Sequence, residues 1–359
     1  MEVAIIGLPQ SGKTTVFNAL TRRGADATGA AEVRVGVVKV ADPRLDVLAR
    51  MYQRKKTVYA EIKYWDISGP ESLAKPQGIG GKNRNVLQGA DAFLLVVRAF
   101  TNAAVPHPLD SLDPGRDLVN LLGELAFADL EVLERAVVRL EDGIKKSKVA
   151  ERPAMATHLE TVKKVRASFE EGVPLRRQQL AGSELSILAN YQFLTGKPVI
   201  VAFNADESGP EISLDRLGLS EKETAGLGQV SLCSRLEEDL AAMSGDEAEE
   251  FRWELGLGEP AVDRVIRVSF QTLGLISFLT VGDDEVRAWS VPAGMPAQLA
   301  AGTIHTDFQR GFIRAEVIPF DDLARCGSIA QGRKEGVLRS EGKTYGVKDG
   351  DVINFLINV

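Results

Sequence analysis

Cysteine and histidine are scarce in this chain of 359 residues, at two and three copies. Cys233 and Cys326 lie far apart, with no C-x-x-C pair and no leader sequence at the start. That pattern fits reduced thiols in a cytosolic protein rather than a disulfide scaffold. The few histidines form no ligand cluster, which excludes a zinc-type centre, and His305 reads as structural. No apolar run approaches the ~20 residues needed to cross a bilayer, so no membrane partner is expected. Basic residues are outnumbered, 43 against 50 acidic ones, for a formal net charge of −7. That balance argues against indiscriminate binding to nucleic acid or anionic membranes and against sequence-specific DNA binding; any RNA contact must be regional. The expectation is a soluble, cytoplasmic protein whose 44% hydrophobic residues supply cores for two or three domains.

What the chain does have is a glycine turn between an apolar run and a helical pattern. Gly7-Leu8-Pro9-Gln10-Ser11-Gly12-Lys13-Thr14 follows Val3-Ala4-Ile5-Ile6 and precedes Thr15-Val16-Phe17-Asn18-Ala19-Leu20. It fits G-x-x-x-x-G-K-[ST], in which glycines let backbone N–H groups turn inward around a polyphosphate and the next helix offers its positive N-terminus. Gly7, Pro9, Gln10, Ser11, Gly12, Lys13, Thr14 and Thr15 then form the cradle. Lys13 reaches the β- and γ-phosphates, and the Thr14 hydroxyl ligates Mg²⁺.

A strand over 59–65 runs into Asp66-Ile67-Ser68-Gly69. A strand-end Asp in such a fold holds Mg²⁺ through water, and the Gly69 amide can bond the γ-phosphate and sense hydrolysis. Pro70 stands where Ras-type GTPases carry a water-orienting Gln, so another group must position water or hydrolysis is very slow. For a switch threonine the choice is between Thr28 and nothing. The glycine-rich 72–89 reads as a switch segment or an ordinary loop. Unbroken apolar strands at 92–98 and 198–203 complete the alternation of a doubly wound α/β sheet.

The second of these ends in Asn204-Ala205-Asp206-Glu207. Guanine-specific switches carry N-K-x-D there. Here Ala205 replaces the Lys and Glu207 takes the Asp position, so the bidentate guanine contact is lost and adenine fits better. Ser231-Leu232-Cys233 would offer backbone groups near the base, or form an ordinary strand and turn. Between these edges, Leu118, Leu122, Leu125, Leu133, Leu140 and Ile144 fall at helical spacing. After Pro153, so do Met155, Leu159, Val162, Val165 and Phe169. The reading is two long antiparallel helices with Lys145, Lys146, Lys148 and Arg152 near the tip, an RNA contact or a solvated turn. Short runs at 265–270, 276–281, 286–291, 312–318 and 352–359 read as strands of a small mixed β domain.

Together these residues resemble the YchF-type Obg-like ATPases, a translation-factor-related P-loop family. The resemblance covers essentially the whole chain: the P-loop, Val35-Gly36-Val37-Val38, Asp42-Pro43-Arg44-Leu45-Asp46, Asp66-Ile67-Ser68-Gly69 and the N-x-x-E of Asn204 to Glu207. Its most specific part is C-terminal, Glu285-Val286-Arg287-Ala288-Trp289, then 300–308 and 310–317. It implies a P-loop domain over 1–116 and 191–268, a helical arm inserted at 117–190, and a TGS-like β-grasp module at 269–359. It also implies ATP, preferred over GTP, hydrolysed at the β–γ anhydride with Mg²⁺, and a monomer that binds the ribosome. His107 in Val105-Pro106-His107-Pro108, on residues alone an ordinary loop histidine, falls where the family places its water-orienting histidine. With Lys13 it makes the implied catalytic pair. Gln10 replaces the family's usual Asn, a mild departure; Ala30 stands where its metal-facing Thr aligns, which implies turnover below the family norm; and Pro70 replaces an apolar residue. A GTP-specific switch and a ribosome- or RNA-binding adaptor with little hydrolysis stay open as alternatives.

Overall fold

A computed structural model describes residues 1–21, 33–67, 79, 81–207 and 211–358. Thr28, Ala30, Gly69, Pro70 and most of the glycine-rich 72–80 segment lie outside the described residues.

The described strands are β1 (Glu2–Ile6), β2 (Val33–Val40), β3 (Lys56–Val58), β4 (Ala60–Ile67), β5 (Ala92–Ala99), β6 (Val199–Ala205), β7 (Leu227–Leu232), β8 (Leu275–Val281), β9 (Glu285–Pro292), β10 (Phe312–Pro319), β11 (Arg339–Glu341) and β12 (Asp351–Ile357). The chain forms two compact units, one of 1–36 with 63–265 and the other of 37–62 with 266–359.

The first unit is built on a sheet of order β2-β4-β1-β5-β6-β7, with β4, β1, β5, β6 and β7 joined by parallel pairings. Every residue of β5 and β6 is buried, as an unbroken apolar run in a sheet covered on both faces requires. The P-loop follows β1 and opens helix α1 (Lys13–Thr21). This is the α/β P-loop fold expected. The longest helix, of 33 residues, spans Pro114–Lys146; Pro114 occupies its first turn and the Asp113 carboxylate caps the Arg116 amide.

That helix serves two cores. Leu118, Leu121, Leu125 and Ala128 pack with Phe93, Leu95, Val97 and Phe203 of the sheet. Farther along, Leu133, Ala136, Val137 and Leu140 pack with Val162 and Val165 of the helix Arg152–Glu170. The hairpin is therefore free of the sheet only beyond about the fifth turn, because the first turns spend their apolar face on it. Its start lies well past the 117 drawn from sequence.

The second unit holds a sheet of order β11-β10-β12-β8-β9-β3. Residues 37–62, assigned from sequence to the P-loop domain, contribute to this unit. Leu45, Leu48 and Ala60 share a core with Leu279, Val286, Ile318, Leu323 and Val352, β3 pairs with β9, and Arg44 bonds Asp349 at 2.7 Å. A further difference concerns 265–270, read as a strand: it belongs to a helix, Ala261–Thr272. Ala261, Val262, Val265 and Ile266 are buried, a spacing of one helical face that outweighs the β-branched content of the run.

Candidate nucleotide site

The loop between β1 and α1 is shaped by glycines that cannot be replaced cheaply. A Cβ at Gly7 would collide with the Val96 carbonyl oxygen of β5. Gly12 has φ +92°, and a Cβ there would strike the Asn204 amide. Gln10 holds φ 62°, in the left-handed region. Pro9 and Gln10 lie on the outer side of the loop, half-buried and exposed, whereas Ser11 is buried. The Ser11 hydroxyl has no hydrogen-bond partner among the described residues.

The Lys13 ammonium curls back onto its own loop, donating to the Gly7 and Leu8 carbonyls at 3.0 and 2.9 Å. Burial pushes its pKa down, and the Asp66 carboxylate partly restores it. Thr14 Oγ1 donates to Asp66 Oδ2 at 3.1 Å, and the Arg34 guanidinium bonds the same carboxylate oxygen. A hydroxyl and a fully buried carboxylate, already attracting a cation, are hard oxygen donors of the kind Mg²⁺ takes beside phosphate and water. No group of three His, Cys, Asp or Glu able to hold a metal exists among the described residues. The fit is therefore to a cation shared with a polyphosphate rather than to a protein-only cage.

Beside the loop opens a cavity of about 660 Å³ whose wall includes Gly12 and Thr15 from the P-loop, Phe100 to Asn102, Asn204 to Glu207, and Cys233 to Leu236. It lies beyond the carboxyl ends of β5, β6 and β7, where parallel sheets receive ligands. Asn204 is a brace: its Nδ2 donates to Ser11 O at 3.0 Å and its Oδ1 accepts from Ser234 N at 3.0 Å. Asp206 is engaged too, accepting from Thr101 N and Oγ1 at 3.1 and 3.2 Å. Glu207 and Cys233 stand in the wall. Ser231 and Leu232 are not part of it; Leu232 is buried in β7, and the Ser231 carbonyl accepts from Arg264 at 2.9 Å.

His107 lines neither this cavity nor a small apolar one beside Lys13. Its Nε2 lies 2.8 Å from Asp117 Oδ2, its Nδ1 accepts from Leu109 N at 3.1 Å, and its side chain is 6% exposed. The Leu109 bond fixes the proton on Nε2, which donates to Asp117. Sequence reading missed Phe100, Thr101, Asn102, Arg235, Glu238 and Asp239 as cavity residues. The available signal was their position just past strand ends on one edge of the sheet.

Known proteins agree with this architecture. Residues 2–123 match the MMR_HSR1 family model, described as "50S ribosome-binding GTPase". Residues 275–358 match YchF-GTPase_C, described as "Protein of unknown function (DUF933)". The "Ribosome-binding ATPase YchF" of Escherichia coli O157:H7 is 39% identical over 363 residues, 99% of this chain and 98% of that protein. Its namesake in Bacillus subtilis is 35% identical over the whole of both chains, and rice "Obg-like ATPase 1" is 34% identical over all of this chain and 92% of that protein. The solved "Structure of the Schizosaccharomyces pombe YchF GTPase" superposes with a TM-score of 0.82 at 28% identity, covering 99% of this chain and 97% of that one. With a P-loop unit at one end, the YchF C-terminal match at the other and likeness running between them, this chain belongs to the YchF family.

Proposed function

We propose that the protein is a Mg²⁺-dependent P-loop triphosphatase that prefers ATP, cleaves it to ADP and phosphate, and acts as a ribosome-binding switch in the cytoplasm. The observation that carries this reading is the Lys13, Thr14 and Asp66 cluster, in which Lys13 and Thr14 stand in the chain between Gly12 and Thr15, two residues of the wall of the cavity of about 660 Å³. Relatives named as ribosome-binding ATPases support the activity and the partner.

Bound Mg²⁺ supplies charge neutralisation at the β- and γ-phosphates, with Thr14 and Asp66 as the residues that would hold it. The chain's own groups do the rest. Lys13 exchanges its two carbonyl partners for phosphate oxygens, and the amides at the start of α1 face the same charge. Water attacks the γ-phosphorus in line, the bond to the β–γ bridging oxygen breaks, and the water proton passes to phosphate. His107, released from Asp117, is the group that orients that water.

The cavity wall supports a preference for adenine. Asp206 is committed to Thr101, Ala205 supplies no ammonium, and Glu207 carries its carboxylate one methylene farther out, so no side chain repeats the paired acceptance that guanine requires. Cys233 remains beside the base, with Ser231 and Leu232 as backbone support behind it. The exposed Lys145, Lys146, Lys148 and Arg152 at the hairpin tip form the local basic patch for ribosomal RNA. The second unit serves as a TGS-like β-grasp module, and the protein works as a monomer.

Phosphate release from ATP and from GTP, each with Mg²⁺ and with excess chelator, tests the reading. Release from ATP alone, abolished by chelation, is expected; faster release from GTP would reverse the base assignment. An adaptor with little hydrolysis is favoured by one observation, the docking of His107 on Asp117. Single-turnover release unchanged by His107→Ala would support that second reading.

A further inference from the structure

β5 is apolar and buried along its whole length except for one charge, Arg98, which is 4% exposed. A buried guanidinium is costly to keep and is retained only where its donors are used. Arg98 Nε donates to the Phe100 carbonyl at 3.2 Å and Nη2 to the Val105 carbonyl at 2.7 Å, and the cation lies over the Phe100 ring at 4.4 Å. Neither bond meets a carboxylate, and Nη1 is buried with no hydrogen-bond partner among the described residues. The side chain thus spends its fork on closing one short piece of backbone, from Phe100 to Val105, and leaves a donor unused to do so.

That piece is the first half of the loop that carries His107. It is fastened at several further points: Thr101 to Asp206, Ala104 N to Asn102 Oδ1 at 2.9 Å and Val105 N to Asn102 O at 3.1 Å. Phe100, Thr101 and Asn102 are also cavity wall. The second half is fastened differently: to itself, to Asp117, and at its far end to Arg116, whose guanidinium donates to Ser111 Oγ and O at 2.7 Å. Leu109 N donates to the His107 ring, and Asp110 N to the His107 carbonyl at 3.0 Å. Between the halves, Pro106 and Pro108 flank His107 and have no N–H with which to tie the joint.

We infer that Arg98 is a positioning residue for His107: its guanidinium fixes the Phe100–Val105 half-loop against the nucleotide cavity, so that nucleotide moves only the half beyond Val105 and brings His107 back to one defined place. This inference rests on the reading of His107 as the water-orienting group. Arg98 itself touches no reacting atom. A lysine in its place keeps the charge but has no planar fork to span two carbonyls.

Hydrogen exchange on the full-length wild-type chain, with Mg²⁺ and a non-hydrolysable ATP analogue, tests the half-loop without any substitution. Protection at Thr101, Ala104 and Val105 is expected to persist while the Leu109 amide exchanges at least about 10-fold faster, as its acceptor leaves. Loss of protection in both halves together would overturn the inference. Unchanged protection at Leu109 would show that His107 does not leave Asp117, and would overturn the His107 reading and this inference with it. Single-turnover phosphate release supplies the second arm. At saturating nucleotide, Arg98→Lys is expected to slow release roughly 10- to 100-fold, and to have no further effect in a His107→Ala background. A slow His107→Ala enzyme that Arg98→Lys slows again by the full factor would overturn Arg98's role and leave His107's standing.

Discussion

Thr14 and Asp66, 52 positions apart in sequence, meet through a hydrogen bond of 3.1 Å. The first lies at the start of the P-loop helix and the second at the end of β4, so the contact exists only if the sheet has formed. Arg34 shares the same carboxylate oxygen. Asp66→Asn removes the charge and keeps the shape. The Mg²⁺ concentration giving half-maximal phosphate release is expected to rise at least about 10-fold, while affinity for Mg²⁺-free nucleotide does not fall. An unchanged Mg²⁺ requirement would remove Asp66 from the metal site.

Asn204 joins the P-loop to the helix that follows β7 through its two amide bonds. Asn204→Ala leaves the Ser11 carbonyl and the Ser234 amide unsatisfied in a buried place, at a cost of about 1–3 kcal/mol. Affinity for ATP analogue is expected to fall with stability, because the loop loses its brace. A chemical denaturation midpoint and a binding titration on the same variant check both, and a loss of stability alone would make Asn204 purely structural.

Burial holds the Lys13 pKa below its ordinary 10.5, with Asp66 opposing. A triphosphate beside the ammonium raises that pKa again, so binding takes up a proton. Affinity is full below the pKa of the free protein and falls as pH rises through it, and the fall begins below 10.5. Titration calorimetry in buffers of different ionisation enthalpy should show net proton uptake on the alkaline side. Proton release there would contradict the assignment of Lys13 to the phosphates.

Leu133 is fully buried where the Pro114–Lys146 helix has left the sheet and packs against Val162 and Val165. Leu133→Ala is expected to cost about 2–5 kcal/mol of stability in the hairpin and to leave nucleotide affinity unchanged. Limited proteolysis with a parallel binding titration separates the two effects. A loss of nucleotide affinity would couple the arm to the site.

The P-loop was legible because its geometry is local: strand, glycine turn and helix lie within 21 residues. The doubly wound character of the sheet followed from alternation, and the burial of β5 and β6 from their unbroken apolar runs. Where reading failed, the deciding contact lay far along the chain. Nothing near Arg44 announces Asp349, so residues 37–62 were placed in the wrong unit. The long helix keeps one periodicity while changing the core it packs on, which hid the true start of the hairpin. His107 was found only through family likeness, and its docking on Asp117 depends on how the loop folds back onto the helix start. Ser231 and Leu232 sit next to the cavity in sequence but behind it in space.

The most direct test of the central claim, that the amino-terminal loop grips a purine triphosphate, is calorimetric titration of the wild-type protein and Mg²⁺ with non-hydrolysable ATP and GTP analogues. Saturable binding at one site, tighter for the ATP analogue and lost in Lys13→Ala, is the predicted result. No heat of binding with either analogue would contradict the account.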